Sequence, residues 1–301
     1  MQVAAIVVTY EPDSDLITRL HFLAAQVEVI YIVDNGSSRF YSRFVNILGS
    51  NISNKIILIS LEENLGIATA LNIGCKYAEN DNYDFVVTFD QDSCPELNYI
   101  TELLNTYRRK SLCSNVAIVG GIINEAIRGN SNYQYLTLSR WGFKRIRESE
   151  DFSVMMLITS GCLVDLSVIK RIGGFIDKLF IDYVDTEFSL RCLDNNYTLW
   201  VSTKAILNHN LGNKTEHYLF KFRFLTTNHS PIRRYYMARN SVYMYKRYAW
   251  RFFGWFLFDI SALIYTLFKI IIFEESKFLK LKMYFRGWVD GLCGNFGKFK
   301  E

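Results

Sequence analysis

The sequence has little of what marks several common protein classes. Only three prolines interrupt its 301 residues, and it shows no internal repeat or low-complexity linker, so we expect neither a solenoid nor a disordered chain. The six cysteines are scattered without a CxxC pair, which argues against a disulfide framework. No secretory signal peptide opens the chain, and we therefore expect a reduced, cytoplasmic protein. With 50% hydrophobic residues, the chain can bury the core of one large α/β domain, with or without a helical appendage.

The net charge of +4 hides an asymmetry between the two ends of the chain. Residues 229–301 carry 13 Lys and Arg against 5 Asp and Glu, a local balance of +8 that leaves −4 for residues 1–228. A basic, aromatic tail can contact nucleic acid or an anionic membrane, and the apolar content of this tail favours the membrane. We therefore expect no nucleic-acid partner. The change in composition predicts a domain boundary between residues 228 and 229.

The first 90 residues predict half of a doubly wound α/β domain. Val3–Thr9 is a continuous apolar, β-branched run, as expected for a strand buried on both faces of a parallel sheet. Three similar runs follow, separated by two helical patterns: strands Val29–Val33, Ile56–Ser60 and Phe85–Phe89, and helices Asp13–Gln26 and Leu65–Ala78. Later patterns predict strands at Val116–Gly120, Val154–Thr159 and Thr198–Val201 and an acidic helix start at Asp182–Arg191. We place residues 1–95 in one half of the domain and residues 96–228 in the other.

In such sheets ligands bind beyond the carboxyl ends of the strands, so the polar residues there are the first candidates for function. These residues follow the four predicted strands and comprise Thr9, Tyr10, Glu11, Asp34, Asn35, Asn64, Gly66, Asp90, Gln91 and Asp92. The first of these strand ends lacks the glycine-rich, basic loop that usually opens a nucleotidyltransferase. We therefore reject that class.

The acidic pair Asp90 and Asp92 predicts half of a divalent-metal site. Mg²⁺ and Mn²⁺ prefer carboxylate oxygens and commonly bridge one or two carboxylates to substrate phosphates. A solvated turn is the alternative interpretation. His209 lies after a late predicted strand, where it is either a third metal ligand or a surface residue.

Two further strand ends predict contacts with a nucleoside. Asp34 can accept the ring N–H of uracil or thymine, or a ribose hydroxyl, although Asp34-Asn35-Gly36 is also an ordinary turn sequence. Asn64 is a natural helix cap, and the small residues from Asn64 to Gly74 predict a helix that packs closely on the sheet. Close packing does not require Asn72, which is a candidate for substrate binding.

Carboxylates and arginines later in the chain suit a transfer reaction. An inverting sugar transfer needs one carboxylate to deprotonate the acceptor hydroxyl, and Asp185 is the first candidate and Asp182 the second. Acidic residues that favour a helix N-terminus are the alternative interpretation. The run Arg233 to Asn240 puts cations beside aromatic residues, and Arg234 and Arg239 are its candidates for binding a pyrophosphate or a lipid phosphate. A helix with snorkelling cations would show the same pattern.

Taken together, these stretches resemble the family 2 inverting glycosyltransferases with the GT-A fold, especially bacterial rhamnosyltransferases of O-antigen and surface-polysaccharide assembly. The matching motifs span residues 8 to 240 and are Val8-Thr9-Tyr10, Val33-Asp34-Asn35, Asn64-Leu65-Gly66 with Asn72 and Gly74, Phe89-Asp90-Gln91-Asp92, Thr159-Ser160-Gly161, Phe180 to Glu187, and Arg234-Tyr235-Tyr236 with Arg239-Asn240. Many relatives read Glu-Asp where this chain reads Val184-Asp185. The Gln-x-x-Arg-Trp motif of processive synthases is missing, which argues against a polymer-extruding enzyme.

The resemblance implies a fold, a reaction and roles for individual residues. It implies a Rossmann-like mixed sheet flanked by helices, in which Thr9, Tyr10 and Asp34 hold the nucleoside. It implies that Asp92 and His209 coordinate Mg²⁺ or Mn²⁺, that Asp90 contacts the ribose or a metal-bound water, and that Asp185 is the general base. Ser160 and Gly161 belong to the implied substrate site. The implied donor is dTDP-L-rhamnose, and the implied acceptor is a saccharide on a polyprenyl diphosphate.

The apolar run Phe252–Phe273 predicts a membrane-associating helix. About 20 apolar residues can cross a bilayer, but Asp259 and Lys269 make crossing costly. Basic residues and Trp and Tyr on both sides favour an amphipathic helix that lies in the membrane interface. We expect peripheral attachment to the inner face of the cell membrane. Two alternative interpretations remain: a single membrane-spanning helix, and a helix buried in the core or in a homo-oligomer.

Two alternatives to a rhamnosyltransferase remain. One is a transferase of the same fold that uses another UDP- or dTDP-sugar, because base and sugar selectivity depend on a few contacts. The other is a non-catalytic scaffold that binds a sugar or a lipid.

Overall fold

The computed structural model describes residues 1–38, 53–124, 135–139, 142–146, 150–209 and 215–300. Its centre is a nine-stranded mixed sheet in the order β3-β2-β1-β4-β10-β6-β11-β5, with β9 paired to β11. The strands are β1 (Val3–Thr9), β2 (Val29–Asp34), β3 (Ile56–Ser60), β4 (Phe85–Asp90), β5 (Cys94–Pro95), β6 (Val116–Asn124), β9 (Phe152–Val154), β10 (Cys162–Asp165) and β11 (Thr198–Asn208). Two hairpins lie outside it, β7 (Tyr135–Ser139) with β8 (Gly142–Ile146), and β12 (Thr215–Leu219) with β13 (Phe222–Thr226).

Helices cover both faces of this sheet, in agreement with the predicted fold class. They are α1 (Leu16–Ala24), α2 (Ile67–Asn80), α3 (Tyr99–Ser111), α4 (Leu166–Ile172) and α5 (Val184–Asp194), followed by α6 (Pro231–Tyr248), α7 (Phe253–Ile272) and α8 (Lys277–Cys293). Alternate residues of β1 point to opposite faces: Ala4 and Ile6 join one buried cluster, whereas Ala5 and Val7 join the other. This double burial explains the continuous apolar run of β1.

The four predicted N-terminal strands are confirmed, and β1 pairs in parallel with both β2 and β4. Their carboxyl ends therefore meet at one edge. On one face α2 lies close to β1, because a Cβ atom added at Gly74 would be 2.6 Å from Ile6 Cγ2. The predicted close packing of this helix is thus confirmed.

The region around residues 152–165 differs from the prediction. The strand expected at Val154–Thr159 is the short β9, which ends at Val154, and a strand that we did not predict, β10, lies between β4 and β6. The chain turns between these two strands, where Gly161 has φ +79° and its N–H donates to Thr88 O at 2.7 Å. Because β10 is antiparallel to both neighbours, it makes the sheet mixed.

The C-terminal helices pack against the sheet domain. Asn240 of α6 donates to the carbonyls of Leu179, Ile181 and Asp182 at 2.8–2.9 Å. Trp255 of α7 is fully buried in a cluster with Met155 and Leu190, which come from the sheet domain. These helices thus contribute core residues. The domain boundary at residues 228 and 229 stays a prediction.

Helix α7 is long and apolar enough to cross a membrane, with a mean hydropathy of 1.8, and 11% of it is buried inside the protein. Its two charged residues turn inward. Asp259 accepts hydrogen bonds from the hydroxyls of Tyr183 and Tyr245 at 2.8 and 2.7 Å, and Lys269 donates to Leu225 O at 3.0 Å. The remaining exposed side chains of α7 are therefore mostly apolar.

Candidate active site

Two carboxylates and one imidazole converge at the carboxyl ends of β4 and β11. Asp90 ends β4, Asp92 lies two residues later, and His209 directly follows β11. One ligand atom from each lies within 4.8 Å of the others, and His209 Nδ1 is 3.4 Å from Asp92 Oδ1. Two carboxylates with an imidazole suit Mn²⁺ well and Mg²⁺ acceptably, and small side-chain rotations would bring them onto one ion. The residues predicted as metal ligands are thus brought together.

Two serines orient this group of three. Ser93 Oγ is 2.7 Å from His209 Nδ1 and 2.6 Å from Ser160 Oγ, and Asp90 N–H donates to Ser160 Oγ at 3.1 Å. Ser93 and Asp92 both lie against Nδ1 of His209, so a cation bound through this nitrogen would take the place of the Ser93 hydrogen bond. Ser160 therefore lies beside Asp90, and its role in substrate binding stays a prediction. Ser93 was not predicted, although its position directly after Asp92 was a usable signal.

The predicted nucleoside residues form a second group next to the first. Asp34 is buried and accepts hydrogen bonds from Thr9 Oγ1 at 2.9 Å and from the N–H and hydroxyl of Ser37 at 3.0 and 2.6 Å. The backbone N–H of Tyr10 donates to Gln91 Oε1 at 2.8 Å, which links the ends of β1 and β4. These bonds place the Asp34 carboxylate firmly at the strand edge.

The loops after β2 and β3 are joined by their asparagines. Asn35 Nδ2 donates to Asn64 Oδ1 at 3.2 Å, and the Gly66 N–H donates to the same oxygen at 3.0 Å. Gly66 has φ +90°, and a Cβ atom there would lie 2.6 Å from Phe180 O, so a larger residue is excluded. Glu11 accepts hydrogen bonds from the N–H and hydroxyl of Ser38.

A cavity of about 610 Å³ opens beside these loops. Its walls come from distant parts of the chain, and they include Tyr10, Gly36, Asn64, Phe180, Arg233, Tyr236, Lys298 and Phe299. The C-terminal segment is held there by a hydrogen bond from Phe299 N–H to Tyr236 Oη at 2.8 Å and by the ion pair of Lys298 with Glu63 at 2.6 Å. Tyr10 of the nucleoside group thus borders this cavity, and residues at the end of the described chain form another part of its wall.

The candidate bases lie at the start of α5. The pKa of Asp185 is raised to about 6, with burial as the largest cause. The Thr186 N–H opposes the rise by donating to the carboxylate at 2.7 Å, and the charges of Asp182 and Asp90 add to it. Burial also raises the pKa of Asp182, and the guanidinium of Arg233 opposes this. A carboxylate with a pKa of about 6 is suited to general-base work near neutral pH.

Burial raises the pKa of Asp90 as well; Asp92 acts in the same direction, and His209 and Arg233 act against it. The charges of Asp90 and Asp185 thus influence each other. The candidate metal ligands Asp90, Asp92 and His209 and the candidate base Asp185 therefore lie at the same end of the sheet.

The backbone before α5 is unusual. Phe180, Asp182 and Tyr183 all have φ between 63° and 66°, a conformation that non-glycine residues rarely adopt. The side chain of Asn240 holds this segment through the three carbonyls described above. Strained backbone of this kind is found at functional sites, and here it positions Asp182 and the start of α5.

The predicted phosphate-binding arginines have other partners. Arg234 is 2% exposed and pairs with Glu274 at 2.5 Å, and Glu274 also pairs with Lys280 at 2.9 Å. Arg239 is 1% exposed and donates to the carbonyls of Gly297 and Leu179. A role of these two residues in phosphate binding stays a prediction, and the structure gives both of them structural contacts instead.

Asn72 also lies away from the cavity. Its side chain donates to Phe175 O and Asp177 Oδ1, both at 2.8 Å, and accepts from the Phe175 N–H at 2.8 Å. It therefore fastens α2 to the segment before α5. Of the predicted basic run Arg233 to Asn240, the structure instead places Arg233 at the cavity, a residue that was not among the selected candidates.

A Rossmann-like mixed sheet with paired carboxylates beyond its fourth strand defines a protein of the GT-A class. The sequence model of the family described as "Glycosyl transferase family 2" matches residues 4–173, more than half of the chain. The chain belongs to this family, and the protein is a glycosyltransferase. The dTDP-rhamnosyl transferase RfbF of Shigella flexneri is 28% identical over 307 residues, which cover 96% of this chain and 95% of RfbF.

Solved structures share the fold. S. aureus TarS 1-349 in complex with UDP-GlcNAc matches with a TM-score of 0.58 at 17% identity, covering 98% of this chain and 80% of that chain. GalNAc-T7 with UDP, GalNAc and Mn²⁺ matches with a TM-score of 0.58 at 13% identity, covering 79% of this chain and 47% of that chain. The chain spans about half the length of GalNAc-T7. These similarities establish the fold.

Proposed function

We propose that the protein transfers L-rhamnose from dTDP-L-rhamnose, with inversion, to a lipid-linked saccharide during O-antigen or other surface-polysaccharide synthesis. The similarity to a dTDP-rhamnosyl transferase over almost the whole length of both chains supports the choice of donor. One observation supports the proposed reaction. The candidate metal ligands Asp90, Asp92 and His209 lie at the same end of the sheet as Asp185, whose pKa is raised to about 6.

The chemistry is one in-line displacement. The acceptor hydroxyl gives its proton to Asp185 and attacks the anomeric carbon, a bond from that carbon to the acceptor oxygen forms, and the bond to the diphosphate oxygen breaks. Asp34, held by Thr9 and Ser37, is placed to bind the nucleoside. A Mg²⁺ or Mn²⁺ held by Asp92, His209 and Asp90 would neutralise the charge on the departing diphosphate.

We propose that the protein works on the inner surface of the cell membrane, where it meets a polyprenyl-diphosphate-linked acceptor. An apolar face runs along α7. We define it as the exposed side chains Leu257, Ile264, Tyr265, Phe268, Ile271 and Ile272. The hairpin β12–β13 joins it, because Phe224 packs against Tyr265 and Phe268 at ring distances of 6.3 and 5.8 Å. At the hairpin tip Phe220 and Phe222 are 92% and 69% exposed on either side of Lys221.

The occupant we assign to the apolar face is an anionic bilayer. Exposed aromatic residues beside lysines suit the interfacial region of a membrane with negatively charged lipids. The inward contacts of Asp259 and Lys269 remove the charges that would oppose insertion of the outer side of α7.

The activity is tested by incubating the full chain with dTDP-rhamnose, Mn²⁺ and a lipid-linked saccharide. We expect rhamnosyl transfer, its loss in Asp185→Ala, and its retention in the control Asp84→Ala, which changes an exposed carboxylate at the opposite end of β4. Circular dichroism confirms that the variants are folded. Full turnover by Asp185→Ala would assign the base to another residue. Transfer from a different UDP- or dTDP-sugar would replace the donor, and binding without turnover would favour a scaffold.

Membrane attachment is tested by co-sedimentation with vesicles containing phosphatidylglycerol. We expect the triple variant Phe220→Ser, Ile264→Ser, Ile271→Ser to stay in the supernatant, while Leu112→Ser, which changes an exposed leucine just after α3, sediments like the unchanged protein. If the unchanged protein does not sediment with vesicles but dimerises through this face, the membrane assignment is wrong.

A further inference from the structure

Arg233 pairs with Asp182, the second of the two candidate bases. It lies in the first turn of α6, and its guanidinium donates from Nε and Nη2 to the Asp182 carboxylate at 3.1–3.3 Å. The positive charge of Arg233 therefore lies directly against the carboxylate of Asp182.

Arg233 also reaches solvent and the cavity. Its side chain is 43% exposed and lines the cavity together with Tyr10 and Asn64, which border the nucleoside group. Among the described residues lining this cavity, the other cation is Lys298, whose partner Glu63 lies on the loop after β3. The neighbouring Arg234 is buried against Glu274 and has no such access.

The two ends of the ion pair between Arg233 and Asp182 differ in exposure: the Arg233 side chain is 43% exposed and that of Asp182 is 15% exposed. Solvent reaches the guanidinium and weakens its hold, while the largely buried carboxylate is stabilised by it. A diphosphate carries more charge than a carboxylate and accepts bidentate hydrogen bonds from the planar guanidinium. A diphosphate that enters the cavity can therefore compete with Asp182 for Arg233.

We propose that Arg233 binds the diphosphate of the nucleotide sugar and that Asp182 holds this side chain only until the donor arrives. The proposal rests on the proposed function, because it requires a nucleoside-diphosphate donor in the cavity.

The first test measures binding of dTDP and of thymidine to the full chain by calorimetry with Mn²⁺ present. We expect Arg233→Gln to weaken dTDP binding about ten- to hundredfold, as for loss of a charged hydrogen-bond donor, and to change thymidine binding by less than about threefold. Arg233→Lys should restore part of the loss. Arg223→Gln, which removes an exposed arginine paired with Glu216 in the hairpin, is the matched control and should leave both unchanged.

The second test asks whether Asp182 competes with the ligand. Asp182→Asn should tighten dTDP binding, and the tightening should be several-fold larger with Arg233 present than in the Arg233→Gln background, because only the first case releases a guanidinium. A purely structural pair would instead show weaker binding in Asp182→Asn. Equal tightening in both backgrounds overturns the exchange.

The two tests separate this inference from the proposed function. If the unchanged protein binds dTDP and Arg233→Gln binds it equally well, the role of Arg233 is wrong and the glycosyltransferase proposal stands. If the unchanged protein binds no dTDP with Mn²⁺ present, both are wrong.

Discussion

Replacing Asp185 by asparagine should make the protein more stable at neutral pH while it removes the base. The pKa of this carboxyl is raised from 3.8 to about 6 in the folded state, with burial as the largest cause. Each pKa unit corresponds to about 1.36 kcal/mol, so the ionised group destabilises the fold by about 3 kcal/mol above pH 7. Asparagine has no such cost, and its Oδ1 can still accept the hydrogen bond from the Thr186 N–H.

The sign of the pH dependence follows from the raised pKa. Well above pH 6 the group is ionised in both the folded and the unfolded state, and the full cost is present. As the pH falls through 6, the folded state takes up a proton first, and the cost decreases to about 1.6 kcal/mol at pH 5. Below 3.8 the cost disappears, because both states are protonated. The advantage of Asp185→Asn should therefore shrink as the pH is lowered.

Urea unfolding followed by tryptophan fluorescence measures this effect. The experiment is run with EDTA, so that no cation alters the charge of Asp90, at pH 7.5 and at pH 5. We expect the variant to gain about 2–3 kcal/mol at pH 7.5 and about half of that at pH 5. Asp84→Asn, which changes an exposed carboxylate, is the control. An equal or lower stability of Asp185→Asn at pH 7.5, or a gain independent of pH, would refute the reasoning.

The activity should change in the opposite direction. If Asp185 is the base, kcat/KM falls about tenfold between pH 7 and pH 5, because the ionised fraction falls from about ten elevenths to one eleventh. Asp185→Asn should lose about 10²- to 10⁴-fold in kcat. A residue that costs stability and supplies activity is common at active sites.

The remaining predictions concern the metal ligands and a buried ion pair. Asp92→Asn should raise the Mn²⁺ concentration for half-maximal activity at least about tenfold, with Asp84→Asn unchanged, as measured by metal titration of the transfer rate and of the thermal shift. Glu274→Gln leaves two buried cations without their counter-ion and should cost about 3–5 kcal/mol in urea unfolding, whereas the exposed neighbour in Glu275→Gln should cost less than about 0.5 kcal/mol. A cost below about 1 kcal/mol for Glu274→Gln would show that its cationic partners find other acceptors.

The parts of the fold that the sequence predicted are those with a strong local pattern. Strands β1 to β4 are long apolar runs that the sheet buries on both faces, and the polar residues after them cluster because parallel strands end at one edge. Strand β10 has only the four residues Cys162–Asp165, too few for a pattern to stand out. Its place between β4 and β6 depends on long-range pairing, which no local signal carries.

The candidate site was predictable to the same extent. The proximity of Asp90, Asp92 and His209 was predictable because these residues end strands or closely follow them, whereas the sequence did not show which arginine of α6 faces the cavity. Arg233 and Arg234 are adjacent, and one residue along a helix is a rotation of about 100°, so one faces the cavity and the other faces Glu274. The sequence does not reveal the rotation of α6. That rotation depends on how α8 packs against it, where a Cβ atom at Gly287 would lie 2.3 Å from Tyr235 O.

The composition of the cavity wall has a consequence for synthesis of the protein. Chains leave the ribosome from the N-terminus, and domains fold as their residues emerge. Tyr10 and Asn64 emerge early, but Lys298 and Phe299 close the far side of the same cavity. The cavity is therefore completed only when residue 299 has cleared the exit tunnel. A truncation directly before Lys298 therefore removes part of the cavity wall, whereas the strands of the sheet and the residues Asp90, Asp92 and His209 lie outside the removed segment.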